Sequence, residues 1–284
     1  MNPKDWPQPK YKAFRLIGVM ILGYCLITGV TYAMQEKMIY YPDRTPPNEA
    51  MSAAMGLRFW PGQGRPDYRG FVSPEALLKP KGTIVVFHGN AGSALDRGYY
   101  VAALEPRGYR VILAEYPGFG GRPGKLGEGP IVKDGKATVK LAYEEYGGPL
   151  YLWGESLGAG VVGAIVSDVA VPVSGVVMLT PWDTLPNLAQ AIYWFLPARW
   201  LIRDQYDSMK NLANYGGRVA LLVAENDEVI PKRHGLRLFE SIHGPKKLWE
   251  FRRANHNTWP ADPGEPWWDE VLAFLAFAFG VGPN

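Results

Sequence analysis

A chain of 284 residues with 47% apolar and 20% charged side chains has a globular composition and can hold one large domain or two small ones. Its net charge of +3 is too small to indicate a nucleic-acid partner. The single cysteine, Cys25, excludes an intramolecular disulfide and any paired-cysteine metal or redox motif.

The first element is an uncharged apolar segment that runs from Leu16 to Met34, long enough to cross a bilayer as one helix. More basic residues precede it than follow it closely, which favours a cytoplasmic N-terminus. We therefore expect residues 1–35 to be a cytoplasmic tail and transmembrane anchor, with the bulk of the chain on the periplasmic side of a bacterial inner membrane. A signal peptide that is cleaved to give a secreted protein, or a buried core helix, is the alternative.

Residues 36–56 are predicted to form a polar connector. It contains the apolar sequence Met38-Ile39-Tyr40-Tyr41-Pro42, which we expect to dock onto the folded domain.

The remaining residues, 57–284, alternate between strand and helix patterns. A hairpin is predicted from residues 57–60 and 68–72. Further strands are predicted at 83–87, 110–114, 149–153, 173–179, 219–224 and 247–251, and helices at 94–105, 131–146, 159–166, 233–242 and 267–279. This alternation predicts an α/β fold with a mostly parallel central sheet and helices on both faces, whose reactive groups lie at the carboxyl ends of the strands.

The sequence Gly154-Glu155-Ser156-Leu157-Gly158 lies between an apolar strand and a glycine-rich helix. Such a sequence predicts a sharp turn that exposes the Ser156 hydroxyl above the sheet. Glycine suits both outer positions because side chains there would crowd the neighbouring backbone. The Leu157 N–H, at the start of a helix, can bind a developing oxyanion. The alternative is a glycine-rich helix start with an inert serine.

A serine nucleophile needs a neighbouring base and a third group that orients this base. The order serine, acid, histidine along the chain favours His256, in the loop after the last strand, as the base. Asp227, in the loop after strand 219–224, is the preferred acid. Other candidate acids are Glu225, Glu228 and Asp183, and the other histidines are His88, whose ring we expect to be structural, His234 and His243.

A second oxyanion donor is expected from the loop after strand 83–87, where Asn90 offers its backbone N–H. Because this role belongs to the backbone, Asn90→Ala is expected to cost little. The aromatic-rich insert at 181–217 is predicted to form a small cap over an apolar acyl pocket, or else an amphipathic helix packed on the core. Candidate pocket residues are Tyr116, Trp182 and Trp194.

Five motifs in this order resemble the α/β-hydrolase superfamily, and most closely its Bem46-like and alpha/beta-hydrolase-domain-containing serine hydrolases. They are Phe87-His88-Gly89-Asn90-Ala91-Gly92, Tyr116-Pro117-Gly118-Phe119-Gly120, the serine turn, Asp227 with Val229-Ile230-Pro231, and Asn255-His256. An apolar anchor followed by an "Ile-Tyr-Tyr-Pro"-like segment is a further similarity. The resemblance implies a Ser156–Asp227–His256 triad and neither a metal nor an organic cofactor. The sequence departs from the pattern of this family at two places, Glu115 before Tyr116 and Asn257-Thr258-Trp259 after His256. These differences can alter the substrate pocket.

These observations predict a membrane-anchored serine hydrolase that cleaves carboxylic ester or thioester bonds, with lipid-derived acyl groups as substrates if the cap touches the bilayer. A serine peptidase of the same fold and a non-catalytic scaffold are the alternatives. A comparison of ester with amide hydrolysis distinguishes the esterase from the peptidase. Reaction with a fluorophosphonate probe distinguishes an active serine hydrolase from a non-catalytic scaffold.

Overall fold

The structure, a computed structural model, describes residues 8–62, 67–74 and 79–276. Within these residues the strands are β1 (Tyr41–Pro42), β2 (Arg58–Trp60), β3 (Gly70–Val72), β4 (Thr83–Phe87), β5 (Ala91–Gly92), β6 (Arg110–Ala114), β7 (Leu150–Glu155), β8 (Gly175–Leu179), β9 (Arg218–Ala224) and β10 (Lys246–Phe251). The helices are α1 (Gln8–Ile39), α2 (Glu49–Ala54), α3 (Gly98–Leu104), α4 (Glu128–Tyr146), α5 (Leu157–Val166), α6 (Leu185–Ile192), α7 (Ala198–Leu201), α8 (Ser208–Leu212), α9 (Arg233–Ser241) and α10 (Trp267–Ala276).

Eight strands form the central sheet, in the order β10-β9-β8-β7-β4-β6-β3-β2. The six strands from β10 to β6 are parallel, and the β2–β3 hairpin extends the sheet with antiparallel pairing. This arrangement confirms the predicted α/β fold with a mostly parallel sheet.

Strand β4 shows why the sheet is buried on both faces. All five of its residues are buried. Val85 and Phe87 belong to one apolar cluster, whereas Ile84 and Val86 belong to the other, because successive side chains point to opposite faces of a sheet. Helices α4 and α5 pack on the first face, and α3 and α10 pack on the second. The sheet is therefore a rigid support for the loops at its carboxyl edge.

The predicted elements differ from the structure mainly at their ends. The helix predicted at 94–105 begins as a 3-10 turn, Ala94–Arg97, before α3. The turn residues 63–66 of the hairpin and residues 277–279 of the closing helix lie outside the described residues.

Helix α1 is longer than the predicted anchor and continues to Ile39 because neither proline nor glycine interrupts residues 30–41. Its segment Lys10–Ile39 is long and apolar enough to cross a membrane, with a mean hydropathy of 1.9. The connector that follows contains a further short helix, α2, whose N-cap Asn48 accepts a hydrogen bond from Ala50 N. This helix was not predicted, because its six residues are too few to show a helical period.

The apolar sequence after α1 docks onto the domain as expected. Tyr40 is buried, and its hydroxyl donates a hydrogen bond to Asp204 at 2.7 Å. Strand β1 then pairs in parallel with β5, which matches Tyr41 with Ala91. These contacts fix the end of α1 beside the loop that follows β4.

Residues 181–217 connect β8 to β9 through three short helices, α6, α7 and α8. We call this segment the cap. Helix α6 begins at a Thr184 N-cap whose hydroxyl accepts from Asn187 N, with a proline in its first turn.

Candidate active site

Ser156 occupies the turn between β7 and α5 with φ 53° and ψ −112°, a backbone conformation that non-glycine residues rarely adopt. A Cβ at Gly158 would collide with the carbonyl oxygen of Phe87, and one at Gly154 would collide with the carbonyl oxygen of Gly158. Both glycines are therefore required by close backbone approach. The turn holds the serine hydroxyl at the carboxyl edge of the sheet.

His256 lies between Ser156 and Asp227. Its Nε2 is 3.1 Å from the Ser156 Oγ, and its Nδ1 is 2.8 Å from Oδ2 of Asp227. Since Nδ1 faces a carboxylate, Nδ1 carries the proton and the Nε2 lone pair faces the serine hydroxyl. The side chains of His256 and Asp227 are only 10% and 2% exposed. The structure thus brings together the three residues of the predicted triad.

The Asp227 carboxylate is fixed by its own loop. Its Oδ1 accepts hydrogen bonds from the backbone N–H groups of Val229 at 2.9 Å and Ile230 at 2.7 Å. The second oxygen is left to face His256, so the carboxylate can orient the ring. The two other candidate acids in the loop after β9 contact backbone groups instead of the His256 ring. Glu225 accepts a hydrogen bond from Arg253 N, and Glu228 lies 3.5 Å from the backbone N of His256.

The third alternative acid, Asp183, belongs to a separate buried pair. Its Oδ1 is 2.7 Å from Nδ1 of His234, and both side chains are 1% exposed. Burial alone raises the pKa of Asp183, but hydrogen bonds from His234 and from Thr184 N outweigh it and lower the pKa below its usual value. In the described part of the chain, Nε2 of His234 has no hydrogen-bond partner.

His88 supports the loop after β4. Its Nε2 is 3.0 Å from Oε1 of Glu115, and its Nδ1 is 2.7 Å from the carbonyl oxygen of Gly89. The Tyr116 hydroxyl donates to the His88 carbonyl at 2.8 Å. The ring is fully buried by these contacts, which agrees with the expected structural role.

The two residues predicted to supply oxyanion donors, Leu157 and Asn90, line the same cavity as Ser156. The N–H of Leu157 is at the first position of α5, where an α-helix has no acceptor of its own. Within the described residues, the N–H of Asn90 donates to no backbone carbonyl. The Asn90 side chain has a further role that sequence analysis missed, because its Nδ2 donates to the Ile39 carbonyl at the end of α1, at 2.8 Å. The expectation that Asn90→Ala costs little therefore needs correction.

A cavity of about 200 Å³ lies in front of Ser156, and most of its lining is apolar. Three parts of the chain contribute to its wall. These are Thr31, Tyr32, Gln35, Met38 and Ile39 from α1; Trp182, Leu185, Leu188, Ala189, Ile192, Tyr193, Leu196, Ala198, Leu201 and Ile202 from the cap; and Asn90, Ser156, Leu157, Val229 and Ile230 from the carboxyl edge of the sheet. The cap therefore lines an apolar pocket, and its α6 also packs on the core.

Of the three predicted pocket residues, only Trp182 lines this cavity. Tyr116 is instead buried beneath the loop after β4, where its hydroxyl supports His88. Trp194 points outward and is 78% exposed. The α1 residues of the wall were missed by the sequence analysis, although Thr31 and Gln35 are polar residues spaced for one helical face of an apolar segment.

No group of three or more histidine, cysteine or acidic side chains in the described ranges could hold a metal ion. The absence of a cofactor remains a prediction.

Comparisons with known proteins agree with this fold. The family model described as serine aminopeptidase, S33, matches residues 78–203. An uncharacterised protein of Mycobacterium tuberculosis is 27% identical over 93% of this chain and 96% of its own length. The lysophosphatidylserine lipase ABHD12 of Danio rerio is 28% identical over 58% of this chain, and the match spans only 48% of that protein. A Pyrococcus furiosus esterase structure superposes with a TM-score of 0.60 at 18% identity, covering 84% of this chain and 97% of the esterase.

The fold and these similarities define an α/β-hydrolase. The chain has the fold of the α/β-hydrolases, and its sequence is similar to hydrolases of the Bem46 and ABHD type. The family match ends before Asp227 and His256, so these two positions depend on the geometry described above.

Proposed function

We propose that this protein is a membrane-anchored serine hydrolase that cleaves carboxylic ester or thioester bonds of acyl substrates. The observation that carries the proposal is the hydrogen-bonded chain from Asp227 through His256 to the Ser156 hydroxyl, beside an apolar cavity. The similarity to ABHD12, whose name identifies it as a lysophosphatidylserine lipase, is consistent with lipid-derived acyl groups.

In the first half of the reaction, Ser156 Oγ attacks the acyl carbonyl carbon while His256 Nε2 accepts the hydroxyl proton. The carbonyl π electrons move to oxygen, and the N–H groups of Leu157 and Asn90 stabilise the oxyanion. When the tetrahedral intermediate collapses, the bond to the leaving alcohol or thiol breaks. His256 gives its proton to that group, and an acyl ester on Ser156 remains.

In the second half, water replaces the leaving group. His256 Nε2 takes a proton from the water as the oxygen attacks the acyl carbon, and collapse returns the proton to Ser156 Oγ and releases the carboxylic acid. Asp227 keeps its charge throughout and stabilises the imidazolium that forms in each half. The two N–H donors serve both tetrahedral intermediates.

The cavity favours acyl groups over peptides with a free amino terminus. An aminopeptidase must hold a protonated amine, for which a carboxylate is the usual partner. Among the described residues that line the cavity, none is acidic. An apolar acyl chain gains free energy from the burial of its methylene groups, about 0.8 kcal/mol for each.

The anchor completes the proposal. We assign residues 1–35 to the cytoplasmic tail and membrane span, residues 36–56 to the connector, and residues 57–284 to the hydrolase domain on the outer side of a bacterial inner membrane. The apolar helix α1 supports the span, and the excess of basic residues before it supports this orientation. A cleaved signal peptide would instead give a secreted enzyme.

The test is hydrolysis of p-nitrophenyl esters from short to long acyl chains by the full-length protein in detergent micelles. Ser156→Ala should lower kcat at least about a thousandfold because the nucleophile is lost. The matched control is Ser167→Ala at the other end of α5, where the hydroxyl donates to the Ala164 carbonyl, and it should retain activity. Activity retained in Ser156→Ala, or absent from the folded parent protein, would refute the proposal.

A further inference from the structure

We propose that the tip of the cap, residues 192–202, inserts into the same membrane leaflet as the C-terminal half of α1. The active-site cavity then receives the acyl chain of a lipid directly from that leaflet. This inference rests on the proposed function for its substrate class, but its geometry can be tested separately.

The first observation is a polar stripe along α1. Tyr24, Thr28, Thr31 and Gln35 follow one another at steps of four, three and four residues, so they share one face of the helix. Polar side chains inside a membrane helix usually face protein rather than lipid. The Thr28 hydroxyl oxygen is shielded from solvent, and Thr31 lines the cavity. One face of α1 is therefore turned towards the domain.

The cap contacts both ends of this stripe. At one end, the Tyr24 hydroxyl donates to the Phe195 carbonyl at 3.2 Å. At the other, Oε1 of Gln35 accepts from the backbone N–H of Arg203 at 2.7 Å. The cap tip thus lies alongside α1 over the length between these two contacts.

The depth of the cap tip follows from the helix. The uncharged stretch that runs from Leu16 to Gln35 is roughly 30 Å long, which matches the hydrocarbon thickness of a bilayer. Tyr24 precedes Gln35 by roughly 16 Å along the helix axis, or about half of that thickness. If this stretch fills the hydrocarbon, Phe195 lies about one leaflet below the polar boundary, and Arg203 lies at that boundary.

The surface of the cap tip suits this position. Trp194 and Trp200 are each 78% exposed, and Phe195 and Ile192 are about half exposed. A cluster of exposed large apolar side chains is unusual on a surface that faces water. Arg199 is also exposed; its guanidinium donates to Oδ1 of Asn187 at 2.8 Å, and its remaining N–H groups can face lipid phosphates while its stem stays in apolar surroundings.

The cavity lies between these two membrane-facing elements. Thr31, Gln35, Met38 and Ile39 of α1 form one wall, and the cap tip forms part of the other. Gln35 marks the polar boundary, so the cavity and the Ser156 hydroxyl lie near the level at which lipid headgroups join their acyl chains. An acyl chain can enter such a cavity from the leaflet without first crossing water.

The depth is tested by fluorescence quenching on the full-length protein in phosphatidylcholine vesicles that carry nitroxide-labelled acyl chains. An environment-sensitive dye is attached at position 194 in Trp194→Cys with Cys25→Ser. The same dye on the native Cys25 of the parent protein measures whether α1 is inserted in the bilayer. The control is Glu144→Cys with Cys25→Ser, because Glu144 lies near the end of α4 at the edge of the sheet opposite the active site.

Quenching at positions 25 and 194, with none at 144, is the expected result. An unquenched dye at position 194 while position 25 is quenched overturns the proposal. An absence of quenching at both position 25 and position 194 overturns the proposal and also the assignment of α1 as a membrane span. Catalysis is tested separately, by the comparison of the parent protein with Ser156→Ala.

The role of α1 as a wall of the cavity is tested by a substitution on α1 that places a larger side chain in the cavity. Thr31→Trp should lower kcat/KM for p-nitrophenyl laurate at least about tenfold more than it lowers that for p-nitrophenyl butyrate, because the added ring occupies acyl-chain space. Val30→Trp, on an exposed face of the same helix, is the matched control and should leave both unchanged. Equal effects of Thr31→Trp on both esters, or no effect on either, would overturn the assignment of this wall.

Discussion

Two histidine–aspartate pairs in this protein have nearly the same contact and different surroundings. The Nδ1 atoms of His256 and His234 lie 2.8 Å and 2.7 Å from an aspartate oxygen, respectively. On the far side of its ring, His256 Nε2 is 3.1 Å from the Ser156 hydroxyl. His234 Nε2 is buried and has no hydrogen-bond partner among the residues described.

The difference teaches that the contact with a carboxylate does not by itself make a general base. A base must also present its second nitrogen to a group whose proton it can take, at a site that substrate can reach. The pair at His256 meets both conditions, because it lies beside the cavity. The pair at His234 is buried away from solvent and joins α9 to the start of the cap. We therefore expect one pair to control catalysis and the other to control stability.

The largest expected effect is on kcat, and it distinguishes His256 from His234. His256→Gln should lower kcat for p-nitrophenyl butyrate at least about a thousandfold, because the serine loses its base. His234→Gln should leave kcat of the folded enzyme within about threefold, since its ring does not contact the reacting groups. Initial rates, corrected for the folded fraction by circular dichroism, measure both. A similar loss in the two variants would break the comparison.

A smaller effect is expected from the two aspartates. Asp227→Asn should lower kcat through the wrong histidine tautomer by at least about a hundredfold, but by less than His256→Gln does, because the serine keeps its base. Asp183→Asn should keep kcat but lower the free energy of unfolding by about 3–5 kcal/mol, because it breaks a buried pair. Urea unfolding midpoints in detergent micelles give the second value. Unchanged stability in Asp183→Asn would contradict the assigned structural role.

The smallest effect is a dependence of stability on pH. The pKa of Asp183 is lower in the folded protein than in the unfolded chain, so its ionised form stabilises the fold above the unfolded value, about pH 4. This contribution is lost as the pH falls through the folded value. The difference in unfolding free energy between the parent protein and Asp183→Asn should therefore shrink as the pH falls from 5 towards 3. A difference that stays constant over this range would contradict the assigned pKa direction.

The sequence allows much of the sheet and the serine turn to be predicted. Strands β4 and β6 match their predicted residues, because continuous apolar runs bounded by glycine or turn residues leave little freedom in their ends. The turn at Ser156 follows from two glycines that the backbone requires. The choice of His256 over His234 follows from its position in the loop after the last predicted strand, whereas His234 lies in a predicted helix.

The cavity wall could not be predicted in the same way. Gln35 and Arg203 are 168 residues apart, and no local pattern records a contact at that separation. The outward direction of Trp194 and the inward burial of Tyr116 depend on how each loop packs, which a count of aromatic residues does not reveal. The pair between Asp183 and His234 was missed for the same reason.

The most direct test of the central claim is covalent labelling of the full-length protein with a fluorophosphonate, followed by digestion and mass spectrometry. We predict a single adduct on Ser156 in the parent protein and in His234→Gln, strongly slowed labelling in His256→Gln, and none in Ser156→Ala. An adduct at another serine, or equal labelling of Ser156→Ala, would contradict the account.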